Sequence, residues 1–359
     1  MKSNIGKTPK NMYCWKSVWA GGCQYLWTLV CCVFLFAVFP VFAAVGDSLS
    51  RPFRLMVYNV ENAFDTRHDS LKQDEEFLPE GDKRWTTYRY WKKLNALSKV
   101  IAAVAQERIP DVVTLCEVEN DSVVFDLTYR SALRTLGYRY VMTDSPDERG
   151  IDVALLYQPG TFRLLSVHRF RLNTFWSSSE PYPYKPTRDI LYVSGRVLSG
   201  DTLHLLVCHL PSKAGATRQT DRHRDFAARC LRQICDTLLH DLSDARIVVS
   251  GDFNATPDDV LFRRWFSNKD GLRLLPSRAP NDPHRVRGTY NYQGNWSTLD
   301  HLLVSPFVRV RSGVHIADFP FLLEPDRVRG GLRPFRTYLG PRYLGGYSDH
   351  LPLYVDLVF

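Results

Sequence analysis

The sequence predicts an α/β fold, a four-layer sandwich in which two packed mixed β-sheets are flanked by helices. Three observations point there. Eight short apolar runs have the length of strands, three longer stretches repeat their apolar residues at helical spacing, and the short runs are of two kinds, some alternating and some continuous. Alternation suits a strand with one solvated face, and continuity suits a strand covered on both faces. Many such strands with few helices imply sheet packed on sheet with helices outside.

The first 44 residues stand apart from this pattern. Lysines precede the apolar run "YLWTLVCCVFLFAVFPVFAAV", Tyr25 to Val45, which ends in small residues, with Val41 and Ala43 fitting the small-x-small pattern of signal-peptidase cleavage. Residues 1–44 therefore read as a signal peptide. The run is also about 20 residues long, enough for an uncleaved membrane anchor. Either way residues 51–359, which show no linker or repeat, form one exported domain: periplasmic, extracellular or membrane-anchored facing outward.

The domain opens with the strand "FRLMVYNV". The acidic, polar segment from Thr66 to Trp85 reads as a surface loop. In "YRYWKKLNALSKVIAAVAQERIP" the residues Tyr90, Leu94, Leu97, Ile101 and Val104 share one helical face, and Pro110 stops the helix. The strand "DVVTLCEV" follows, then a helix from Val123 to Leu136 ended by Gly137, then the strand "DVALLYQ". The aromatic, proline-rich stretch "FWSSSEPYPYKPTRD" places Trp176, Tyr182 and Tyr184 either to stack on bases or, the preferred reading, to cap the sandwich. Strands "ILYVSGRV" and "LHLLVCHL" lead to the helix "DRHRDFAARCLRQICDTLL", with Phe226, Cys230, Ile234 and Leu238 inward. The strands "RIVVSGDF", "TLDHLLVS" and "LPLYVDLVF" complete the chain.

Composition narrows the function classes. The formal charge of +8 includes four lysines in the first 44 residues; without them 42 basic side chains face 38 acidic ones, or +4. That mild excess is weak support for a nucleic-acid partner. Beyond the N-terminal segment the cysteines are Cys116, Cys208, Cys230 and Cys235. They form no CxxC pair, which argues against structural zinc, and Cys116 and Cys208 lie in apolar strands as core residues.

Chemistry collects at the strand ends. "RLMVYNVEN" ends in Asn59 and Glu61, "DVVTLCEVEN" in Glu117, "LHLLVCHLPS" in His209 and Ser212, and "IVVSGDFNATP" in Asp252 and Asn254. "STLDHLLVS" begins at Asp300, and "YSDHLPLYV" at Asp349 and His350. Any one of these is a turn residue by itself. Six together predict convergence on one rim. Carboxylates and amides without thiolates are hard oxygen ligands, suited to Mg²⁺, with Mn²⁺ or Ca²⁺ as alternatives. Two histidines beside them add acid–base capacity.

The segments "YNVEN", "LCEVEN", "CHLPS", "GDFNATP", "LDHLLVS" and "SDHLPL", in this order between Met56 and Leu353, resemble the endonuclease/exonuclease/phosphatase superfamily. Its members include DNase I-like nucleases, apurinic endonucleases, inositol-polyphosphate 5-phosphatases and neutral sphingomyelinases, and the resemblance implies a DNase I-like fold. It also implies that Asn59, Glu61 and Glu117 are metal-side positions, with Glu117 the principal Mg²⁺ ligand and Asp349 an acid near the metal. Asp252 and Asn254 match the pair that orients the attacking water and the phosphate, Asn59 also touching substrate. His350 matches the histidine of the last motif, and Asp300 the acid that orients it. His209 stands where DNase I-like members carry a histidine.

A carboxylate such as Asp300 holds one tautomer of His350 and favours its imidazolium. Either His350 or Asp252 then takes the proton of the water, and His209 is placed to protonate the leaving oxygen. Arg149 in "RGIDVALLY" and Arg188 in "TRDILYV" are candidate phosphate contacts. Ser212, Lys213, Arg218, Arg222 and Arg224, in the loop "PSKAGATRQTDRHR", are expected to form a rim beside the site, its cations facing a polyanion. The leading expectation is an exported, metal-dependent endonuclease. A phosphatase or phosphodiesterase of lipid or sugar phosphates is the alternative, and a non-catalytic binding protein on the same fold the lesser one. No obligate protein partner is evident, and a monomer is expected.

Overall fold

Strand β1, Phe53–Ala63, is buried at nearly every residue, the expected fate of a strand covered on both faces. In the computed structural model, which describes residues 51–105, 108–213, 218–267, 271–278 and 286–359, it is central to the larger of two mixed sheets. The expected signal segment lies outside the described residues. β1 runs parallel to β2 (Val112–Val118), and β3 (Arg139–Met142) and β4 (Asp152–Tyr157) extend the sheet on that side.

The second sheet follows in the chain. Its order is β5 (Phe162–Phe170), β6 (Ile190–Val197), β7 (Thr202–His209), β8 (Arg246–Asp252), β9 (Asp300–Val304) and a short edge at Arg273–Leu274. Only β7 and β8 are parallel in it. The last strand, β10 (Leu353–Val358), returns to the first sheet antiparallel to β1. Short strands at Ser277–Arg278, Arg309–Val310 and Val314–Ile316 lie beyond it.

Alternation along the strands divides the core in two. Leu203, Leu205 and Val207 of β7 face the first sheet and join the large cluster that includes Leu55, Val57, Leu115 and Leu155. Leu206 and Cys208 point the other way, into a cluster with the helices. Each such side chain contributes about 1.5–3 kcal/mol by leaving water. Helix α1, Thr87–Ala105, buries the five expected residues, together with Val100 and Lys93. Helix α3, Arg218–Asp241, turns Phe226, Cys230 and Ile234 inward, and Leu238 packs at its margin. The short α4, Val260–Trp265, is capped by the Asp259 carboxylate, which accepts from the Leu261 N–H.

Several expectations change. The helix expected from Val123 to Leu136 is three short pieces: α2 (Asp121–Phe125), a π turn over Asp126–Arg130 and a 3-10 turn over Ala132–Leu136. Ser131 breaks it. Its backbone is extended and its hydroxyl bonds the Leu127 carbonyl and Ser98, competing with helix continuation. The segment from Thr66 to Trp85 is not a plain surface loop. Phe77 and Trp85 are buried in the core, Phe77 stacks on Phe64 at 4.3 Å, and the Trp85 indole N–H donates to the Phe64 carbonyl. Trp176 and Tyr184 pack around Phe226, so they cap the sandwich. Cys116, Cys208, Cys230 and Cys235 are buried, free thiols.

Candidate active site

Register brings the strand ends together. Asn59 lies opposite Cys116, one residue before Glu117; His209 lies opposite Asp252, and Asp252 opposite Asp300. Gly251 makes the pairing of His209 with Asp252 feasible. Its φ is 142°, and a Cβ there would lie 1.8 Å from the Cys208 carbonyl oxygen, so only glycine lets β8 approach β7 so closely before Asp252. Glu61, Asn62, Glu117 and Asn254 all have φ between 48° and 67°, four of the six non-glycine residues with positive φ among the described residues. Backbone held in this sparsely populated region is a common property of functional sites.

Asn59 ties the cluster. Its side-chain N–H groups donate to Asp252 Oδ2 at 3.0 Å and Glu117 Oε1 at 3.3 Å, while its oxygen accepts from the Glu61 N–H. Glu117 Oε2 accepts from the Asn62 N–H. The backbone N–H of Asn254 donates to Asp252 Oδ1 and its side chain to the Leu210 carbonyl, fixing the loop after β8. His350 Nδ1–H donates to Asp300 Oδ2 at 2.7 Å, and its Nε2 faces Asp252 Oδ2 at 3.9 Å. His209 Nε2 lies 3.7 Å from Asp252 Oδ2 and 3.9 Å from Glu117 Oε1.

The electrostatics separate the two histidines. Burial opposes a charge on His350, but Asp300, by charge and hydrogen bond, with Asp252 and Asp349, raises its pKa well above the ordinary imidazole range. His209 is held well below that range by burial and then by Arg188, Arg149 and His350. This favours the neutral form of His209. Asp252 is pushed up by burial and by Asp300, with His350 and two hydrogen bonds opposing.

Asp252, Asp300 and His350 present ligand atoms within 4.8 Å of one another, and Asp300 Oδ1 is buried without a partner. Glu117 lies on the other side of the Asn59 amide. A crowded, oxygen-rich set of acids short of positive charge fits a hard divalent cation.

The acids Glu61 and Asp349 belong to a different arrangement. Glu61 accepts from the Thr337 and Tyr338 N–H groups and from Arg336, whose guanidinium also donates to Asp349 Oδ2 at 2.9 Å. Lys93 lies near them, its ammonium on Thr337 Oγ1 and the Tyr347 carbonyl, and burial lowers its pKa to about 8 against the pull of Glu61 and Asp349. Glu61 thus anchors the 336–338 segment, with both carboxylate oxygens accepting hydrogen bonds from it. Asp349 shares one oxygen with Arg336.

Of the expected basic rim, Arg224 is buried on Asp221 and the Pro211 carbonyl, while Arg222 is exposed. Arg188, a separate candidate, is buried on Asp147 and the Leu210 carbonyl. Lys213 pairs with Asp259 at 2.9 Å. Ser212 is exposed, and the Arg218 side chain lies outside what the structure describes. Arg149 is exposed and reaches the Asn62 side chain.

Sequence reasoning missed Arg336, Lys93 and Tyr290, whose ring lies 4.9 Å from that of His350. Arg336 is 275 positions from Glu61, and no local pattern marks it.

Comparison with known proteins identifies the family and the fold. A model of the "Endonuclease/Exonuclease/phosphatase family" matches residues 54–358. A search of curated proteins found no match. Among solved structures, humanized D. rerio TDP2 superimposes with a TM-score of 0.54 at 16% identity, covering 85% of this chain and 98% of that one. A mannosyl-6-phosphatase of Bacteroides thetaiotaomicron gives 0.54 at 18% identity, covering 86% and 100%. A family protein of Bacteroides vulgatus gives 0.55 at 15%, covering 85% and 98%. At these identities the structural likeness speaks to the fold.

Proposed function

Because the chain belongs to the endonuclease/exonuclease/phosphatase family, a family of phosphoester hydrolases, we propose that it is a divalent-metal-dependent hydrolase of compact phosphate esters. The convergence of Asn59, Glu117, Asp252, Asp300 and His350 on one rim carries the reading. Glu117, held in place by Asn59 and the Asn62 backbone, is the residue that would hold the cation. When bound, Mg²⁺ or a similar ion offsets the charge of the phosphate and of its developing oxyanion.

The chain's own groups divide the remaining work. Asp252, with its raised pKa, accepts a proton from the attacking water. His350 is kept charged by Asp300 and Asp252 and acts as a fixed cation toward the phosphoryl oxygens. As the water oxygen bonds phosphorus, the ester P–O bond breaks, and the leaving oxygen takes its proton from solvent.

The burial of Arg188 and Arg224 on internal partners favours a compact ester over a long polyanion. A nucleic-acid substrate is the second reading. It is favoured by the exposed Arg222, whose guanidinium lies 5.7 Å from the Tyr182 ring, a cation–aromatic pair of the kind that holds single strands. Export, proposed from the N-terminal segment, is checked by fractionating cells that make the chain with and without residues 1–44. The activity is tested with a panel of p-nitrophenyl phosphate, bis-p-nitrophenyl phosphate, single-stranded DNA and RNA, each with Mg²⁺ or with chelator. Metal-dependent cleavage of the small esters is expected. Cleavage of nucleic acid alone, weakening steeply with salt, would establish the second reading, and no cleavage in Mg²⁺ would defeat both.

A further inference from the structure

Asp300 holds His350 at one atom, Nδ1, at 2.7 Å. A single hydrogen bond leaves a ring free to tip about the bonded atom, and tipping moves Nε2, the atom that faces Asp252. A second grip comes from a short hairpin in which Tyr290–Tyr292 pairs with Asn295–Ser297. Tyr290 forms an antiparallel bridge with His350, and the two ring centroids lie 4.9 Å apart with the planes tilted by 40°. We propose that Tyr290 is a positioning residue for the reaction, its ring holding the His350 imidazole in the orientation in which it acts on the phosphoryl oxygens. The inference rests on the phosphoesterase reading.

The hairpin is anchored independently of the Tyr290 ring. Side chains alternate along its strands, so Trp296 and Tyr290, whose cross-strand partner is Ser297, lie on opposite faces. Trp296 packs against the larger hydrophobic cluster, whereas the half-buried Tyr290 belongs to neither cluster. Its ring is thus not spent on the core. Thr289, just before it, is fully buried. The Thr289 carbonyl accepts from the Leu351 N–H at 2.7 Å, and its hydroxyl accepts from the Leu299 N–H at 3.2 Å and, at greater length, from the Asp300 N–H at 3.4 Å. One residue therefore ties the backbones on both sides of the His350–Asp300 pair, and Tyr290 follows it directly. A Cβ on Gly288 would lie 2.4 Å from the Ser297 carbonyl oxygen, so the hairpin closes tightly at this end. The support also calls for an aromatic ring. A flat face restrains a neighbouring imidazole, and its negative quadrupole attracts the charged form. An aliphatic side chain would fill the space without either property.

The test is a double-mutant cycle on the full chain with Mg²⁺. The substrate is whichever of p-nitrophenyl phosphate, bis-p-nitrophenyl phosphate and single-stranded DNA the wild type cleaves best. Steady-state kinetics compare wild type, Tyr290→Phe, Tyr290→Leu, His350→Ala and the Tyr290→Leu/His350→Ala double variant. Misplacing an active-site group by about 1 Å can cost ~10²-fold. With Asp300 still on Nδ1, Tyr290→Leu is expected to lower kcat by about tenfold with KM little changed, and Tyr290→Phe to turn over as wild type does. Once the histidine is gone, the leucine should cost nothing more, because residues that act as one unit are not additive. The same loss in the His350→Ala background as in wild type would mean that Tyr290 acts on its own, and it overturns the proposal. So does wild-type kcat in Tyr290→Leu, or a Tyr290→Phe as slow as Tyr290→Leu, which would place the hydroxyl at the substrate. Should Tyr290→Leu not fold, Tyr290→Val, whose branched side chain suits a strand, takes its place in the cycle. Failure of both to fold would make the residue structural and overturn the proposal as well. A wild type that cleaves none of the three substrates overturns the phosphoesterase reading, and the positioning role falls with it.

Discussion

His350 is held by Asp300 at one ring nitrogen and faces Asp252 with the other, so its contribution belongs to the transition state. His350→Ala is expected to lower kcat by about 10²-fold or more with little change in KM, and Asp300→Asn to do the same to a smaller degree. Steady-state kinetics on a small ester decide it; a change confined to KM would make the histidine a binding group. Asp189 supplies one part of the pH dependence. It is buried with Oδ1 unpaired, and burial raises its pKa from 3.8 to about 6 despite Arg171. The folded state holds its proton more tightly than the unfolded chain, so its stabilising effect is complete below pH 3.8 and is lost as pH rises through about 6. Denaturant unfolding across that window should show stability falling less with pH in Asp189→Asn than in wild type; equal slopes would mean that folding leaves the pKa of Asp189 unchanged. Asn59, Glu117, Asp252 and His350 were legible because each interrupts an apolar run where a strand must end. Arg188 and Arg224 were misread because a cation in a polar stretch looks the same in sequence whether it faces solvent or a buried carbonyl. Arg336 and Lys93 carried no sign, since their partners come from distant strands and loops.

The elements that position the site are the ones periodicity reveals. All eight expected strands form, because each buries at least half of its residues and so must be largely apolar. β5 escaped notice because it is an edge strand and more than half of its residues are partly or fully exposed, which leaves little pattern to read. The helix around Ser131 failed for the opposite reason: its apolar spacing is regular, but a tertiary bond from Ser131 to Ser98 outweighs it. β8 shows how one backbone position governs the chemistry. Gly251→Ala would place a methyl group against the Cys208 carbonyl oxygen in a conformation that side chains rarely adopt. β7 and β8 must then separate at the residue before Asp252. A loss of about 2 kcal/mol or more is expected, with a fall in activity larger than that destabilisation explains, because His209 and Asp252 part. Urea midpoints and kinetics on the folded fraction would show it. A variant with wild-type activity would mean that β8 can shift without moving its carboxylate.

Across the whole molecule, two sheets deliver acids to one rim, and their mutual repulsion opposes folding until a cation arrives. Asp252 and Asp300 are buried opposite each other, with Glu117 beyond the Asn59 amide. His350 offsets part of that charge. A divalent ion that binds only the folded chain stabilises it by mass action, by about 2.7 kcal/mol at 100 times Kd. For a domain of this size that is a rise in Tm on the order of 5 °C. Mg²⁺ is therefore expected to raise the melting temperature, and chelator to reverse the rise, with no substrate present. Glu117→Gln separates the two sides of the argument. It removes one charge from the cluster at the cost of one accepted hydrogen bond, from Asn59 or from the Asn62 N–H, so without Mg²⁺ it should melt close to wild type. It also removes a ligand, so the rise in Tm with Mg²⁺ should largely vanish, and metal-dependent activity with it. Thermal melts of both proteins across a Mg²⁺ titration give the answer. If Glu117→Gln kept the full Mg²⁺-dependent rise, the cation would bind elsewhere, and Glu117 would serve only to hold Asn59 and the Asn62 backbone in place.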